Sequence, residues 1–429
     1  MLVFIFLFSL CSFVYAQEIQ SQCKNGCTNQ TSNSTIGSAT MQTSDSYWAP
    51  WVTKTTTNSA TINWRGQNDG SGLIDYATSS YFNRHHHFEK TIASSVKVPY
   101  QHVRLAGLKP NTSYTYRVRP SGNENAFDNR MFRTMPLRGP FTFVVISDSQ
   151  EGHNYDEMKR FRPVADAVSK EKDVLFVLHG GDYAGHDSGG LWGKFFQAGD
   201  NMLAKFAIFT TIGNHEYHNS SGVTPTAADQ YHWAFDVPLH YSFNCAGIRF
   251  IVLDTPDPNN ASGDDPHTSP ALTQSQESWL RKELDNNKLG KFVIEHHPIW
   301  DHYSPTINLD LGPWEDLYHT YGISANFAGH THNYQRFQVG GIPYFIIGNA
   351  GGRFSDLNST DPYPIWYRFG KTRELGYLKV TVYPGNNTAI AREIFAAHVN
   401  EDDDDETPQV YDPPVVAETM IFPLKHKCS

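Results

Sequence analysis

From residue 141 onwards, five apolar runs each end in polar side chains that can bind metal ions, and this pattern constrains the fold more than any other feature. The residues that follow the runs are Asp148, Asp182, Asn214, His296 and the pair His330 and His332. Continuous apolar runs are typical of strands buried on both faces, and the stretch 156–170 fits a crossover helix. Open α/β sheets carry their sites at the carboxyl ends of strands, so we expect these side chains to converge.

The preceding segment, 47–136, has short alternating runs instead. Ala60, Ile62 and Trp64 fall on one face of a strand. Turn signals between such strands are typical of an antiparallel sandwich. The run from Leu105 to Tyr114 is similar to the fibronectin type III corner, in which a tyrosine hydroxyl ties a loop to a strand. We therefore predict an all-β, fibronectin type III-like sandwich at 47–136 and an α/β layered domain at 140–400.

The two ends of the chain lie outside these domains. We interpret 1–16 as a signal peptide, because the run is apolar, uncharged and too short to span a bilayer comfortably, and ends in Val14-Tyr15-Ala16. An N-terminal membrane anchor is the alternative. Residues 17–46 form a Ser/Thr-rich linker, and 401–429 an acidic C-terminal tail. Its EDDDDE run at 401–406 is interpreted as a solvated loop, with calcium binding as the minority alternative.

The composition excludes some partners and favours export. With 34 Lys and Arg against 44 Asp and Glu, the net charge of -10 disfavours binding along a nucleic-acid backbone. Because 1–16 is interpreted as a signal peptide and no later stretch reaches the length of a membrane span, we predict a secreted protein. Export permits disulfides, in any of three pairings, and glycosylation at sequons. The cysteines left after signal removal are Cys23, Cys27, Cys245 and Cys428, and the sequons begin at Asn29, Asn33, Asn111, Asn219, Asn260, Asn358 and Asn386.

The ordered motifs resemble those of the calcineurin-like metallophosphoesterase superfamily, and specifically the purple acid phosphatases. They are Asp148, Gly181-Asp182, Gly213-Asn214-His215-Glu216, Val293-x-x-His296 and Gly329-His330-x-His332. The sandwich domain and the segments 329–336 and 344–352 favour the narrower family. The resemblance implies a layered β-sandwich flanked by helices, with two metal ions bridged by Asp182.

The resemblance also implies a role for each site residue. Asp148 and His332 would complete one metal site, and the other would take Asn214, His296 and His330. His215 would lie beside the substrate as an acid or hydrogen-bond donor to phosphate. His297 and His302 are both candidates for a second histidine near the leaving group.

Two positions depart from the family pattern. Gly185 stands where the family has a ligand tyrosine, and Gln150 ends the first motif in place of glycine. We expect Tyr183 to point elsewhere and the amide oxygen of Gln150 to fill the vacant ligand position. Without a phenolate ligand, charge counting predicts two divalent ions, Zn, Mn or Fe, instead of a pair that contains Fe(III).

These expectations lead to one predicted function and two alternatives. We predict a secreted dinuclear-metal phosphatase in which a metal-activated hydroxide attacks small phosphate monoesters. A phosphodiesterase or nucleotide pyrophosphatase is the enzymatic alternative, because the same metal clamp accepts both types of ester. The altered first motif, the sequons and the sandwich domain motivate the other alternative, a catalytically silent extracellular glycoprotein.

Overall fold

A computed structural model describes residues 48–66, 70–94, 96–121, 127–150, 158–219, 222–223, 228–255, 273–286, 290–302, 312–357, 366–400 and 407–425. The expected signal peptide, the linker, the EDDDDE run, Cys23, Cys27 and Cys428 lie outside these residues. Cys245 is free and buried. Two of the sequon asparagines, Asn111 and Asn386, are exposed.

The N-terminal domain is a sandwich of two antiparallel sheets, ordered β1-β2-β5 and β4-β3-β6-β7. The hydroxyl of Tyr114 accepts a hydrogen bond from Lys109 N at 2.8 Å, which confirms the predicted tyrosine corner. Trp64 and Tyr116 are fully buried between the sheets. The elements of the N-terminal domain are β1 (Trp48–Thr53), β2 (Ser59–Arg65), β3 (Gly72–Thr78), α1 (Ser79–His85), β4 (Lys90–Ser94), β5 (Tyr100–Ala106), β6 (Ser113–Pro120) and β7 (Arg130–Arg133).

The second domain begins with three parallel strands whose ends are level. Ile146 and Thr210 both pair with His179, so the loops that follow these strands emerge at one edge of the sheet. The predicted crossover helix connects the first two strands. The elements are β8 (Phe141–Ile146), α2 (Phe161–Ser169), β9 (Val174–His179), α3 (Gly189–Ala198), α4 (Asp200–Leu203), β10 (Ala207–Thr210), β11 (His218–Asn219), β12 (Gly222–Val223) and α5 (Asp229–Phe235).

A second sheet has the order β13-β14-β15-β16-β18-β17-β19, with a parallel centre and antiparallel edges. Ile294 pairs with Phe327, so the residues after β15 and β16 also leave the sheet at the same level. The elements are β13 (Tyr241–Cys245), β14 (Ile248–Val252), α6 (Gln274–Leu284), β15 (Lys291–Ile294), α7 (Gly312–Tyr321), β16 (Ala325–Ala328), β17 (Tyr334–Val339), β18 (Ile342–Ile347) and β19 (Tyr367–Lys371).

Three long strands complete the first sheet: β20 (Glu374–Tyr383), β21 (Thr388–His398) and β22 (Gln409–Pro423). The order is β10-β9-β8-β20-β21-β22. Because β22 pairs along the whole length of β21, the sheet continues beyond residue 400. The boundary placed at 400, and the assignment of 401–429 as a tail, therefore cut off the last strand of the domain. The strand that follows the acidic residues 401–406 is mostly exposed and carries no continuous apolar run that would have predicted it.

Phenylalanine rings fill the space between the two sheets of this domain. Phe143 on β8 lies 5.2 Å from Phe250, 5.8 Å from Phe292 and 5.9 Å from Phe327, measured between ring centroids. All four rings are at most 1% exposed. Two sheets packed face to face, with helices on their outer faces, form the predicted layered sandwich. None of the helices in the described part of the chain is long and apolar enough to cross a membrane.

Candidate metal centre

The strand ends bring all seven predicted metal-binding side chains to one place. In the first sheet, the level ends of β8, β9 and β10 present Asp148, Gln150, Asp182 and Asn214. The second sheet contributes His296 after β15, and His330 and His332 after β16. Two backbone hydrogen bonds join neighbouring loops, from Asp148 N to Gly181 O at 3.0 Å and from Gly329 N to His296 O at 2.9 Å.

Four of the seven side chains form a first cluster. Asp148 Oδ1 lies 3.4 Å from His332 Nε2. The Gln150 amide nitrogen lies 3.0 Å from His332 Nε2 and 3.1 Å from Asp182 Oδ2. Its Oε1 is buried and accepts no hydrogen bond from the described residues. A 180° rotation of the Gln150 side-chain amide exchanges the positions of Oε1 and Nε2. In that orientation Oε1 faces the space between the carboxylates and His332.

A second cluster shares Asp182 with the first. His296 Nε2 lies 2.8 Å from Asn214 Oδ1 and 3.3 Å from Asp182 Oδ2. His330 Nδ1 lies 3.1 Å from the same asparagine oxygen. In each of two triads, Asp182-His296-His330 and Asp148-Asp182-His332, the ligand atoms lie within 4.8 Å of one another. Asp182 is the carboxylate common to both triads, as the resemblance implied for a bridging ligand.

The histidines are oriented with a ring nitrogen available to the cluster. His296 Nδ1 donates to Gly180 O at 2.8 Å, and His332 Nδ1 donates to Arg353 O. In neutral imidazole this leaves the Nε2 lone pair facing the carboxylates, as metal-ligating histidines require. Burial, reinforced by the neighbouring histidines, holds the pKa of His330 well below its usual value, which also favours the neutral ligand form. Carboxylate, amide and imidazole donors in this arrangement suit two ions of the Zn, Mn or Fe type.

Three of these residues adopt left-handed backbone conformations, which side-chain-bearing residues rarely do. The φ angles are 58° at Asp148, 57° at Asp182 and 68° at His330. Gly181 has φ 103°, and a Cβ there would meet both Gly213 N and His296 Nδ1 at 2.7 Å. Backbone of this kind persists where the surroundings enforce it, and it is concentrated at functional sites.

Two residues beside the cluster support it without providing a ligand atom. Glu216 accepts hydrogen bonds from the backbone nitrogens of Asp182, Tyr183 and Gly213 at 2.8 to 2.9 Å. Glu216 therefore holds in place the backbone on either side of the bridging carboxylate. Tyr183 does point elsewhere, since its hydroxyl donates to Thr211 O at 3.1 Å and its ring stacks on His179.

The three predicted catalytic histidines occupy different surroundings. The backbone nitrogen of His215 donates to Asp182 Oδ1 at 3.0 Å, and its imidazole is 33% exposed. His297 is buried, with its ring centroid 4.3 Å from that of His330. His302 is fully buried, 5.0 Å from the ring of Tyr367. His215 is therefore the best placed of the three to meet a phosphate group from solvent.

The groups that orient these imidazoles were not predicted from the sequence. Thr255 Oγ1 lies 3.1 Å from His297 Nδ1, and Gly185 O accepts from His215 Nδ1 at 2.6 Å. A backbone carbonyl has no side-chain signature, so Gly185, Gly180 and Arg353 could not have been recognised in this role from the sequence.

Comparisons with known proteins agree with this geometry. The calcineurin-like phosphoesterase family matches residues 141–334, and the purple acid phosphatase N-terminal domain family matches residues 35–134. The chain belongs to the purple acid phosphatase-like metallophosphoesterases. The two family matches have the same order as the sandwich and the layered domain of the structure.

Individual relatives are distant in sequence. Purple acid phosphatase 15 of Arabidopsis thaliana is 22% identical over 72% of this chain and 66% of that protein. Fe(3+)-Zn(2+) purple acid phosphatase 12 of the same plant is 24% identical over 75% of this chain and 67% of that protein. The chain thus spans about two thirds of the length of these relatives. The structure of purple acid phosphatase PPD1 from yellow lupin, Lupinus luteus, has a TM-score of 0.64 at 15% identity, covering 87% of this chain and 74% of PPD1.

Proposed function

We propose that this chain is a dinuclear-metal phosphatase that hydrolyses phosphate monoesters. The observation that carries the proposal is the convergence of seven donor side chains into two clusters that share Asp182. His215 supports the proposal as well, because its imidazole lies next to the shared carboxylate and remains partly exposed. The substrates are small phosphorylated molecules. When bound, the two metal ions supply an activated water nucleophile and neutralise charge on the phosphate oxygens.

The chain's own residues have three tasks in this reaction. Asp148, Gln150, Asp182 and His332 would hold one ion, and Asp182 would act with Asn214, His296 and His330 to hold the other. His215, as the imidazolium, would donate a hydrogen bond from Nε2 to phosphate while its Nδ1–H is bound by Gly185 O. His297 or His302 assists at the leaving group. His297 lies beside the cluster, 4.3 Å from the ring of His330, and is the better placed of the two.

The donor set favours two divalent ions. Counted with two carboxylates and one hydroxide, two divalent ions would leave a formal charge of about +1, whereas replacing one by Fe(III) would leave about +2. Gly185 supplies no phenolate that would offset the additional charge, and Tyr183 is directed towards Thr211. Gln150 adds a neutral oxygen, which completes the coordination without changing the charge count. We therefore propose Zn, Mn or Fe in the divalent state.

The protein is proposed to act outside the cell. The apolar segment 1–16 is interpreted as a signal peptide, and exposed Asn111 and Asn386 are accessible for glycosylation. Expression with and without residues 1–16, followed by assay of protein in the medium, tests this part of the proposal. Retention of the full-length protein in the cell would contradict it.

Activity and metal content test the catalytic proposal together. Purified protein is expected to contain two metal ions and to release p-nitrophenol from p-nitrophenyl phosphate faster than from bis(p-nitrophenyl) phosphate. Asp182→Asn should lose both metal and activity, whereas Asp316→Asn, an exposed aspartate on α7, should retain both. Faster cleavage of the diester would favour the phosphodiesterase alternative. Two bound metals without activity across acid to neutral pH would favour the silent glycoprotein.

A further inference from the structure

A short loop connects the metal centre to helix α5. The loop 185–188 follows the segment that carries Asp182, and its Gly185 carbonyl accepts the hydrogen bond from His215 Nδ1 at 2.6 Å. Two residues later, the Asp187 carboxylate accepts the backbone N–H of Gln230 at 3.1 Å. One end of the loop therefore contacts the proposed phosphate donor, and the other end is fixed to α5.

The Asp187 carboxylate supplies a cap that α5 lacks. The residue at the N-cap position of this helix is Ala228, whose side chain has no acceptor atom. Both carboxylate oxygens of Asp187 face the backbone N–H of Gln230, the second residue of the helix, at 3.1 and 3.4 Å. Unsatisfied N–H groups at a helix start require an acceptor, so Asp187 and α5 hold each other in place. Burial raises the pKa of Asp187 to about 7, which is typical of a carboxyl group shielded from water.

The sandwich domain braces the same contact. Tyr100, the first residue of β5, donates its hydroxyl hydrogen to Gln230 Oε1 at 2.8 Å. Its ring packs against Trp48 at 5.3 Å and against Trp233 of α5 at 5.6 Å, measured between centroids. Hydrogen bonds thus lead from the sandwich through Gln230 and Asp187 to the loop whose carbonyl binds His215.

A histidine that donates a hydrogen bond to phosphate needs a fixed ring orientation. The position of its backbone alone does not fix that orientation. The bond from His215 N to Asp182 Oδ1 fixes the main chain, but the imidazole can still rotate about its side-chain bonds. The Gly185 carbonyl removes that freedom by accepting Nδ1–H, which leaves Nε2–H of the imidazolium to donate to phosphate. Moving this carbonyl by about 1 Å would misdirect Nε2, and misplacement of that size can cost a large factor in rate.

We propose that Asp187 is a positioning residue for His215, acting through the loop 185–188, and that Tyr100 of the sandwich domain braces this loop through Gln230. The inference rests on the proposed function, because that function gives His215 its role. It adds a part for the sandwich domain in orienting the catalytic histidine.

A double-mutant cycle tests the proposal in the full-length, metal-loaded protein. Asp187→Ala is expected to lower kcat about 10-fold with unchanged metal content, because the donor is misdirected while the metal ligands stay in place. In a His215→Ala background the same change should cause no further loss. Asp187→Asn should retain most of the activity, since the amide oxygen can accept the same N–H group of Gln230. Tyr100→Phe should produce a smaller loss that also disappears without His215.

The matched control is Asp236→Asn at the other end of α5. Asp236 forms an ion pair of 2.6 Å with Lys54 of the sandwich, so this variant disturbs the same helix and domain contact but not the loop. Its kcat should equal that of the wild type. A further loss from Asp187→Ala in the His215→Ala background would overturn the proposal, as would full activity of Asp187→Ala. If Asp187→Ala does not fold, the double-mutant cycle of Tyr100→Phe with His215→Ala replaces it. A loss from Tyr100→Phe that persists without His215 would then overturn the proposal.

One readout separates this proposal from the proposed function. Wild-type protein that binds metal but hydrolyses no phosphate ester would refute the function. The Nδ1–H resonance of His215, observed by NMR with ¹⁵N-histidine, would still report on positioning. It should exchange faster with solvent in Asp187→Ala and stay unchanged in Asp236→Asn. An unchanged resonance in Asp187→Ala would overturn the positioning role.

Discussion

Replacing Glu216 would show how strongly the metal centre depends on a side chain that provides no ligand atom. Its Oε2 accepts from Asp182 N and Gly213 N, and its Oε1 accepts from Tyr183 N. A buried donor without an acceptor costs about 1–3 kcal/mol. Glu216→Ala leaves three such donors, so we expect a loss of about 3–9 kcal/mol in the free energy of unfolding. That approaches the whole stability of a typical domain, about 5–15 kcal/mol.

Glu216→Gln is the more informative variant. Its carbonyl oxygen can still serve the two donors that share Oε2, but its NH₂ group meets the N–H of Tyr183. The expected cost is therefore about 1–3 kcal/mol. Because the backbone at Tyr183, the residue after Asp182, is held less firmly, metal affinity should fall about 10- to 100-fold.

Urea unfolding monitored by fluorescence gives the stability, and competition with a chelator gives the metal affinity. The control is Glu283→Gln, since Glu283 accepts from Arg249 near the surface, away from the site. We expect it to change the free energy of unfolding by no more than about 1 kcal/mol and to leave metal affinity intact. A Glu216→Gln protein with wild-type stability and wild-type metal affinity would refute the reasoning.

Three further expectations concern the metal charge, a buried carboxyl group and the leaving-group histidine. Wild-type protein should be colourless and insensitive to reductants, whereas Gly185→Tyr loaded with Fe(III) should absorb visible light; spectra with and without dithionite check this. Burial raises the pKa of Glu295 to about 8, so stability should fall by as much as about 5 kcal/mol between pH 4.5 and 8 as this group ionises. Glu295→Gln should remove that part of the pH dependence of urea unfolding. His297→Ala should lower kcat about 10-fold or more, and His302→Ala should mainly lower the thermal midpoint, as steady-state kinetics and thermal unfolding can show.

The strand positions could be predicted because burial on both faces leaves a continuous apolar run. The runs 141–146 and 291–294 coincide with β8 and β15, and the run 174–178 falls within β9. The last strand was missed for a physical reason. Strand β22 lies at the edge of its sheet with most side chains exposed, so it has no apolar run, and only Thr407 and Pro408 separate it from six acidic residues. Edge strands with one partner carry a weaker sequence signal than central ones.

The identity of the metal-binding side chains could be predicted, but the atoms that orient them could not. Carboxylates, amides and imidazoles are visible as residue types, and their order after the apolar runs indicated that they would converge. The imidazole of His215 is oriented by the carbonyl of Gly185, and that of His296 by the carbonyl of Gly180. Asp187 was also missed, because capping a helix some forty residues away leaves no local pattern.

Asp148, Asp182 and His330 all have left-handed backbone conformations. These conformations explain why five motifs in order predict a metal centre, although a single such motif would not. Each conformation is costly by itself, and each is held by a neighbouring loop. Asp148 N donates to Gly181 O, and His330 N donates to the Asp148 carboxylate at 3.0 Å. No single motif can adopt its geometry unless the adjacent strands present theirs. The metal centre is therefore a property of the parallel strand ends taken together, and a lone motif elsewhere in a chain lacks the neighbours that would stabilise it.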